Sequence, residues 1–125
     1  LLRLGLTVGL FALTPLRGTR LADAQPPSLA SYRRVQAGFW LLKEGLSTVE
    51  EWRFVDGRLV DYGATESAVA AWLAGGEAFR TAGCPDCNRP YYNERPSGPL
   101  YNYPRPLMPA EAEAEIAALL ASCAP

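Results

Sequence analysis

The sequence predicts an α/β fold, because strand-like and helix-like segments follow one another along the chain. An apolar run at residues 4–13 precedes a loop, and a helical apolar pattern then extends over Leu29–Lys43. Further on, two segments of alternating polarity flank Asp56-Gly57, a dipeptide typical of the turn of a β-hairpin. The first strand, its loop and its helix form a βα unit of the kind that builds a barrel.

The apolar run at residues 4–13 is rich in Leu, Val and Phe and stops before Pro15. A short continuous run of this kind predicts a buried strand of a parallel sheet. The run also resembles the core of a secretory signal, but Arg17 and Arg20 follow it where such signals are neutral. It is too short to cross a bilayer. We therefore expect a strand, with the loop at residues 14–24 placed where βα units collect their chemistry.

Three helices are expected after this loop. Ser28 is the predicted N-cap of the first helix, and Gly45 is predicted to end it. Shorter helical patterns cover residues 67–73, which Gly75-Gly76 follow, and residues 110–122. The last helix is expected to bury Ile116, Leu119 and Leu120 and to present Glu111, Glu113 and Glu115 to solvent, where negative charge favours the helix dipole.

Between the first two helices, residues 49–55 and 58–62 alternate in polarity and predict the two strands of the hairpin. From residue 81 onward the composition shifts to Pro, Tyr and Cys, which argues against regular structure before the last helix. We therefore divide the chain into residues 1–63, the end of a barrel, and residues 64–125, a C-terminal extension. Core or interface positions are expected for Trp40, Trp52 and Trp72.

Composition and charge exclude several classes of function. The 125 residues include 12 basic and 13 acidic side chains with interspersed signs, so no basic surface for nucleic acid is predicted. Histidine is absent, which removes the usual general base, a common zinc ligand and every Ser-His or Cys-His catalytic pair. Catalysis would therefore depend on carboxylates, cysteine, tyrosine or a bound cofactor.

The segment Cys84-Pro85-Asp86-Cys87 is the main chemical signal of the sequence. A Cys-x-x-Cys turn brings two thiolates close enough to bind one metal ion or one edge of an iron–sulfur cluster. Two thiolates are half of a usual four-donor site, and Cys123 is a candidate third donor. A redox dithiol and a pair of structural thiols are the alternatives, although a redox pair normally opens a helix.

The residues that follow the cysteine pair are rich in amide, guanidinium and aromatic groups. Such side chains order loops through hydrogen bonds, and near a metal they also donate to its sulfur ligands or contact an anionic substrate. Docking of a surface extension, with the tyrosines as packing, is the competing interpretation. The candidates for substrate binding or loop ordering are Asn88, Arg89, Tyr91, Tyr92 and Asn93.

Two segments resemble a known family. Pro15-Leu16-Arg17-Gly18-Thr19-Arg20-Leu21-Ala22, followed by Pro26-Pro27 and a helix containing Arg34, resembles the Pro-x-x-Gly-Thr-x-Leu-Ala pattern of biotin synthase and its radical SAM relatives. The pattern belongs there to a late strand–loop–helix unit of a TIM-type barrel. The Cys-x-x-Cys-Asn-Arg-Pro-Tyr-Tyr-Asn-Glu segment that begins at Cys84 is similar to one in biotin-synthase-related radical SAM proteins.

The resemblance implies the C-terminal portion of a partial TIM-type (β/α) barrel, with Gly18 and Thr19 at the barrel mouth as cofactor-binding residues. It also implies that Cys84 and Cys87 ligate an auxiliary iron–sulfur cluster, expected to be 4Fe–4S. The Cys-x3-Cys-x2-Cys motif that binds the radical-generating cluster in this family is absent from the chain. S-adenosylmethionine is therefore expected in the complete protein, together with a small-molecule or carrier-bound substrate and the remainder of the barrel. Sulfur insertion, methylation and rearrangement are all reactions that the family implies.

Two other classes of function stay open on the sequence. One is a non-catalytic zinc-binding interaction module, in which the Tyr/Pro-rich loop recognises a partner. The other is a secreted domain in which Cys84 is joined to Cys87 or Cys123. Because the chain begins at Leu1-Leu2 without an initiator methionine, we expect a truncated protein. Three cysteines, an odd number, make a poor disulfide framework, and we expect a cytoplasmic location.

Overall fold

The computed structural model describes residues 1–82 and 99–123, which form a small mixed α/β domain. Its helices are α1 (Leu29–Lys43), α2 (Glu66–Leu73) and α3 (Pro109–Cys123). The strands β1 (Arg53–Val55) and β2 (Arg58–Asp61) pair as an antiparallel sheet. Short 3-10 turns at Leu2–Leu4, Val49–Glu51 and Glu77–Phe79 complete the elements of the described part.

The predicted ends of α1 are confirmed. The Ser28 hydroxyl accepts a hydrogen bond from the Ser31 N–H at 3.1 Å, so the serine caps the helix. At the other end Gly45 adopts a φ of 67°, and the Leu46 N–H donates to the Leu41 carbonyl at 2.9 Å. This arrangement is a Schellman motif, which satisfies carbonyl groups that the end of a helix leaves without intrahelical donors.

The predicted hairpin is confirmed, although its first strand is shorter than expected. Asp56 and Gly57 have φ values of 49° and 74°, the left-handed pair that a type I′ turn requires. The preceding residues do not extend β1, because the Thr48 N–H donates to Glu51 Oε2 at 2.8 Å and a capping box closes a 3-10 turn. The strand predicted over residues 49–55 therefore begins at Arg53.

The buried strand predicted at residues 4–13 is absent, so that prediction is wrong. The chain leaves the first 3-10 turn and continues through residues 6–13 as an extended segment without strand assignment. The sheet of the described part consists of β1 and β2. No barrel is formed by these residues. Burial nevertheless alternates over residues 7–13: Val8, Leu10 and Ala12 are at least partly buried, whereas Phe11 and Leu13 are exposed to 49% and 38%.

One hydrophobic core joins the three helices to β2 and to the turn at Glu77–Phe79. The predicted inner face of α3 is confirmed, because Ile116 and Leu119 are buried and Leu120 packs against the core. The core draws on residues from both sides of position 63. As expected, Trp40, Trp52 and Trp72 are partly buried against it. Within residues 1–82 and 99–123, no helix is both long and apolar enough to cross a membrane.

Candidate functional site

The predicted metal ligands Cys84 and Cys87 lie outside the described residues. The same holds for the candidates for substrate binding or loop ordering, Asn88, Arg89, Tyr91, Tyr92 and Asn93. Among the described residues, no group of three or more His, Cys, Asp or Glu side chains is arranged to hold a metal ion. The described residues nearest to the cysteine segment in sequence end at Ala82 and resume at Pro99.

Gly18 and Thr19, the predicted cofactor-binding residues, form part of an exposed turn. Gly18 has a φ of 83°, and the Thr19 hydroxyl and backbone N–H donate to the Leu16 carbonyl at 2.7 Å and 3.2 Å. The threonine hydroxyl therefore stabilises the turn itself.

Cys123, the candidate third donor, is half-buried at the last residue of α3. Burial raises the pKa of its thiol, although the positive charge of Arg34 acts in the opposite direction. Cys123 stays a candidate third donor, since metal binding displaces the proton of a thiol.

The two chain segments that border the cysteine-rich region lie side by side. Arg80 and Tyr103 form a parallel β-bridge. The Tyr103 N–H donates to the Phe79 carbonyl at 2.9 Å, and the Thr81 N–H donates to the Tyr103 carbonyl at 3.1 Å. The residues that enter and leave the segment at positions 83–98 are therefore hydrogen-bonded to each other.

Arg33 is the centre of a buried polar network, and its side chain is 2% exposed. Its Nε and Nη2 donate to the two carboxylate oxygens of Glu115 at 2.7 Å and 3.0 Å. Its Nη1 donates to Gln36 Oε1 at 2.6 Å and to the Tyr101 carbonyl, and Nη2 also donates to the Leu100 carbonyl at 2.7 Å. All five N–H groups of a guanidinium are thus satisfied. We call Arg33, Gln36, Glu115 and the Leu100 and Tyr101 carbonyls the Arg33 network.

Further polar groups extend the Arg33 network along residues 101–103. Gln36 Nε2 donates to the Tyr101 carbonyl and to Asn102 Oδ1, each at 3.0 Å. The Tyr32 hydroxyl donates to the same Asn102 oxygen at 3.2 Å, and the Tyr103 hydroxyl donates to Glu115 at 2.7 Å. The chain that follows the cysteine segment is therefore attached to both α1 and α3.

The buried role of Glu115 corrects the prediction that the acidic residues of α3 simply face solvent. Glu113 is exposed as expected, and Glu111 pairs with Arg105 near the surface. Glu115 instead turns toward α1 and pairs with Arg33, 82 positions away in sequence. The sequence contains one indication that Arg33 is buried. Arg33 and Gln36 lie on the same face of α1 as apolar residues that are three or four positions away.

The pKa of the Glu115 carboxyl is lowered. Partial burial acts to raise it, but hydrogen bonds from Arg33 and Tyr103 and the positive charge of Arg33 outweigh that effect. Tyr103 shows the converse shift: burial, together with its hydrogen bond to the Glu115 carboxylate, raises the pKa of its phenol to about 12. The network therefore holds an ionised carboxylate and a neutral phenol near neutral pH.

Acid is expected to destabilise the fold through Glu115. Its folded-state pKa lies below the ordinary value of 4.5, so the unfolded chain binds this proton more tightly. Ionised Glu115 therefore stabilises the fold at pH values above its ordinary pKa. This stabilisation is lost as the pH falls through the lower pKa of the folded state. Urea unfolding followed from about pH 7 down to about pH 3 should show a falling free energy of unfolding.

The Glu115→Gln variant provides the control for this acid effect, because it has no proton to gain at position 115. Its free energy of unfolding should fall less between the same two pH values. It should not become independent of pH, since the hydrogen bond from Arg105 lowers the pKa of Glu111 to about 2. Equal losses in the parent and the variant would contradict the role assigned to Glu115.

An open groove of about 550 Å³ lies between α1 and the hairpin. Apolar side chains dominate its lining, among them Val35 and Phe39 from α1 and Phe54 from β1, while Leu10 contributes from the N-terminal segment. Val35 and Phe54 are about half exposed, at 53% and 50%. We call this surface the α1 groove. It is continuous with the extended segment at residues 6–13, which contributes Leu10 to it.

Comparisons with known proteins do not extend this description. No protein-family model matches the chain, and neither the curated proteins nor the solved structures contain a significant match.

Proposed function

We propose that this chain is the C-terminal part of a cytoplasmic radical SAM enzyme related to biotin synthase, and that Cys84 and Cys87 ligate an auxiliary iron–sulfur cluster. The observation that carries the proposal is the Cys-x-x-Cys pair itself, followed by Asn-Arg-Pro-Tyr-Tyr-Asn-Glu. Two thiolates at this spacing suit one edge of a cluster. The remaining ligands would come from the rest of the enzyme, from substrate or from solvent.

The surroundings of the cysteine segment support a ligand role. Its entering and leaving residues are held together by the Arg80–Tyr103 bridge, and the Arg33 network binds the backbone just after it. A ligand-bearing loop loses less conformational entropy on binding when its ends are already fixed. Fixed flanking residues would therefore favour metal binding by this chain.

The N-terminal segment supports the assignment to an incomplete barrel. A strand of a parallel barrel is covered on both faces, and its side chains are therefore apolar on both. The segment at residues 6–13 carries apolar side chains on both sides, because Leu10 is partly buried while Phe11 and Leu13 are exposed to 49% and 38%. The remainder of the barrel is the proposed partner, and it would cover these exposed side chains and the α1 groove. Gly18 and Thr19 would then lie at the barrel mouth.

In the proposed enzyme, this chain and the remainder of the barrel would have different roles in the reaction. The remainder of the barrel would bind S-adenosylmethionine and generate the radical, and the auxiliary cluster would supply sulfur or bind the substrate. This chain would hold the cluster through Cys84 and Cys87 and order the surrounding loop. The candidates Asn88, Arg89, Tyr91, Tyr92 and Asn93 would contact the small-molecule or carrier-bound substrate or support the loop. Sulfur insertion is the reaction that we favour.

The test is the iron and acid-labile sulfide content of the chain after anaerobic purification and reconstitution with iron and sulfide. We expect both in the parent and in Cys123→Ser, and neither in Cys84→Ser/Cys87→Ser. The Cys123→Ser variant is the matched control, because it also removes a thiol but lies in α3. Iron retained by the double variant would refute the ligand assignment. Zinc bound through the same two cysteines, without iron, would indicate the zinc-binding interaction module instead.

A further inference from the structure

The α1 groove has the size and the lining of a site for a small organic molecule. Its volume of about 550 Å³ lies within the range of about 300–1,000 Å³ that is usual for such sites. The lining is mostly apolar and includes three aromatic residues, Phe39, Trp52 and Phe54. Ser31 and Arg34 of α1 are among its few polar residues. An apolar hollow with a small number of polar groups is typical of sites that hold a ligand in one orientation.

The fold holds the aromatic wall of this groove in place. The Trp52 indole packs against the backbone of α1 at Gly38, where an added Cβ would lie 2.8 Å from Trp52 Cη2. Glycine inside a helix is destabilising relative to alanine, but at this position it leaves room for the indole ring. The Trp52 Nε1–H donates to the Ser47 hydroxyl at 2.7 Å, and the ring meets Tyr62 edge to face at a centroid distance of 5.7 Å. A planar aromatic ligand would therefore contact a surface that needs little further ordering.

Positive charge predominates at the groove. Arg34 and Arg58 line it, whereas Asp56 is the acidic residue of the lining. Arg34 Nη1 donates to the carbonyl and the hydroxyl of Ser122, which are both neutral, and the ion pairs of the described residues do not include Arg34. Burial is the main influence on the pKa of the Cys123 thiol, but the charges of Arg34 and Arg58 both act to lower it, so both guanidinium groups lie near that thiol. The groove therefore suits an anionic group better than a neutral or cationic one.

We infer that the α1 groove binds an aromatic carboxylate, with the ring against Trp52 and the carboxylate on Arg34. The inference goes beyond the proposed function and does not depend on Cys84 or Cys87. A guanidinium binds a carboxylate through charge-assisted hydrogen bonds, and the aromatic ring of the ligand would displace water from the apolar lining. The remainder of the barrel would cover this groove in the complete enzyme, so the ligand would lie between the two parts, a common location for small-molecule sites.

The experiment is isothermal titration calorimetry of the full 125-residue chain near neutral pH with 2-naphthoate and with 2-naphthamide. The two probes have the same ring system and nearly the same shape, but only 2-naphthoate is charged. We expect the parent to bind 2-naphthoate about tenfold more tightly or better, because a hydrogen bond to a charged group contributes more than one to a neutral group. Arg34→Met should bind both probes with about the affinity of the parent for 2-naphthamide. Arg53→Met is the matched control, because Arg53 belongs to β1 but does not line the groove, and it should bind as the parent does.

A second variant keeps the inference testable if circular dichroism shows that Arg34→Met does not fold. Val35 lines the groove and is 53% exposed, so Val35→Asp adds a negative charge there with little loss of buried surface. It should weaken the binding of 2-naphthoate more than that of 2-naphthamide. Val49→Asp is its control, because Val49 is 48% exposed and lies outside the groove lining.

Three results would overturn the inference. The first is a folded parent that binds neither probe, and the second is a parent that binds both with equal affinity. The third is a preference for 2-naphthoate that persists unchanged in folded Arg34→Met, or in Val35→Asp where only that variant folds.

Discussion

Phe79→Ala is expected to lower the free energy of unfolding by about 3–5 kcal/mol, the usual cost of removing a buried aromatic side chain. Phe79 is 0% exposed and belongs to the core that joins the three helices. Its ring also lies 5.4 Å from the Arg33 guanidinium carbon, so its loss removes packing beneath the buried network. Urea unfolding followed by circular dichroism measures the change.

Phe54→Ala is the matched control for this substitution. Phe54 is 50% exposed on β1, so the same truncation removes much less buried surface and should cost about 1 kcal/mol or less. If Phe79→Ala and Phe54→Ala lowered the free energy of unfolding by similar amounts, the burial of Phe79 in the core would be contradicted.

Glu115→Ala is expected to be as damaging as the loss of Phe79, for an electrostatic reason. The substitution leaves the Arg33 guanidinium buried without its carboxylate, and breaking a buried ion pair on one side typically costs about 3–5 kcal/mol. It also removes the acceptor of the Tyr103 hydroxyl. Thermal and urea unfolding should both show the loss. The exposed Glu113→Ala on the same helix should leave the stability nearly unchanged.

The double variant Arg33→Met/Glu115→Leu separates charge from packing. If the cost of Glu115→Ala comes from an uncompensated buried charge, removal of both charges should recover part of the lost stability. A double variant less stable than Glu115→Ala would show that the hydrogen bonds to Leu100 and Tyr101 contribute more than the charge imbalance. That result would also strengthen the case for Arg33 as an anchor of this backbone.

Features of this fold that depend on neighbouring residues were predictable from the sequence. Ser28 and Gly45 mark the ends of α1, and Asp56-Gly57 marks the hairpin turn, because capping and turn formation use the backbone within a few positions. The spacing of Ile116 and Leu119 likewise gives the buried face of α3 from the helical period alone.

Features that depend on distant partners were not predictable in the same way. Residues 4–13 have strand-like composition, but composition does not supply the neighbouring backbone that makes a strand. The helical period places Glu115 on the same face as the buried Ala112 and Leu119, but the period does not identify the partner of its carboxylate. Its role follows from Arg33, which lies 82 positions earlier and meets it only when α1 packs against α3. The pair Cys84 and Cys87, by contrast, is recognisable from the sequence alone, because the Cys-x-x-Cys spacing is local.

The bridge between Arg80 and Tyr103 holds together the two described segments that precede and follow residues 83–98. The two bridged residues are one interstrand spacing apart, about 4.8 Å, so replacement sequences of very different length can join the same anchor points. Doubling the length of such a closed loop adds only about 0.6 kcal/mol of entropic cost. A change in the length of the chain between these two anchor points is therefore expected to leave α1, α3 and their shared core in place.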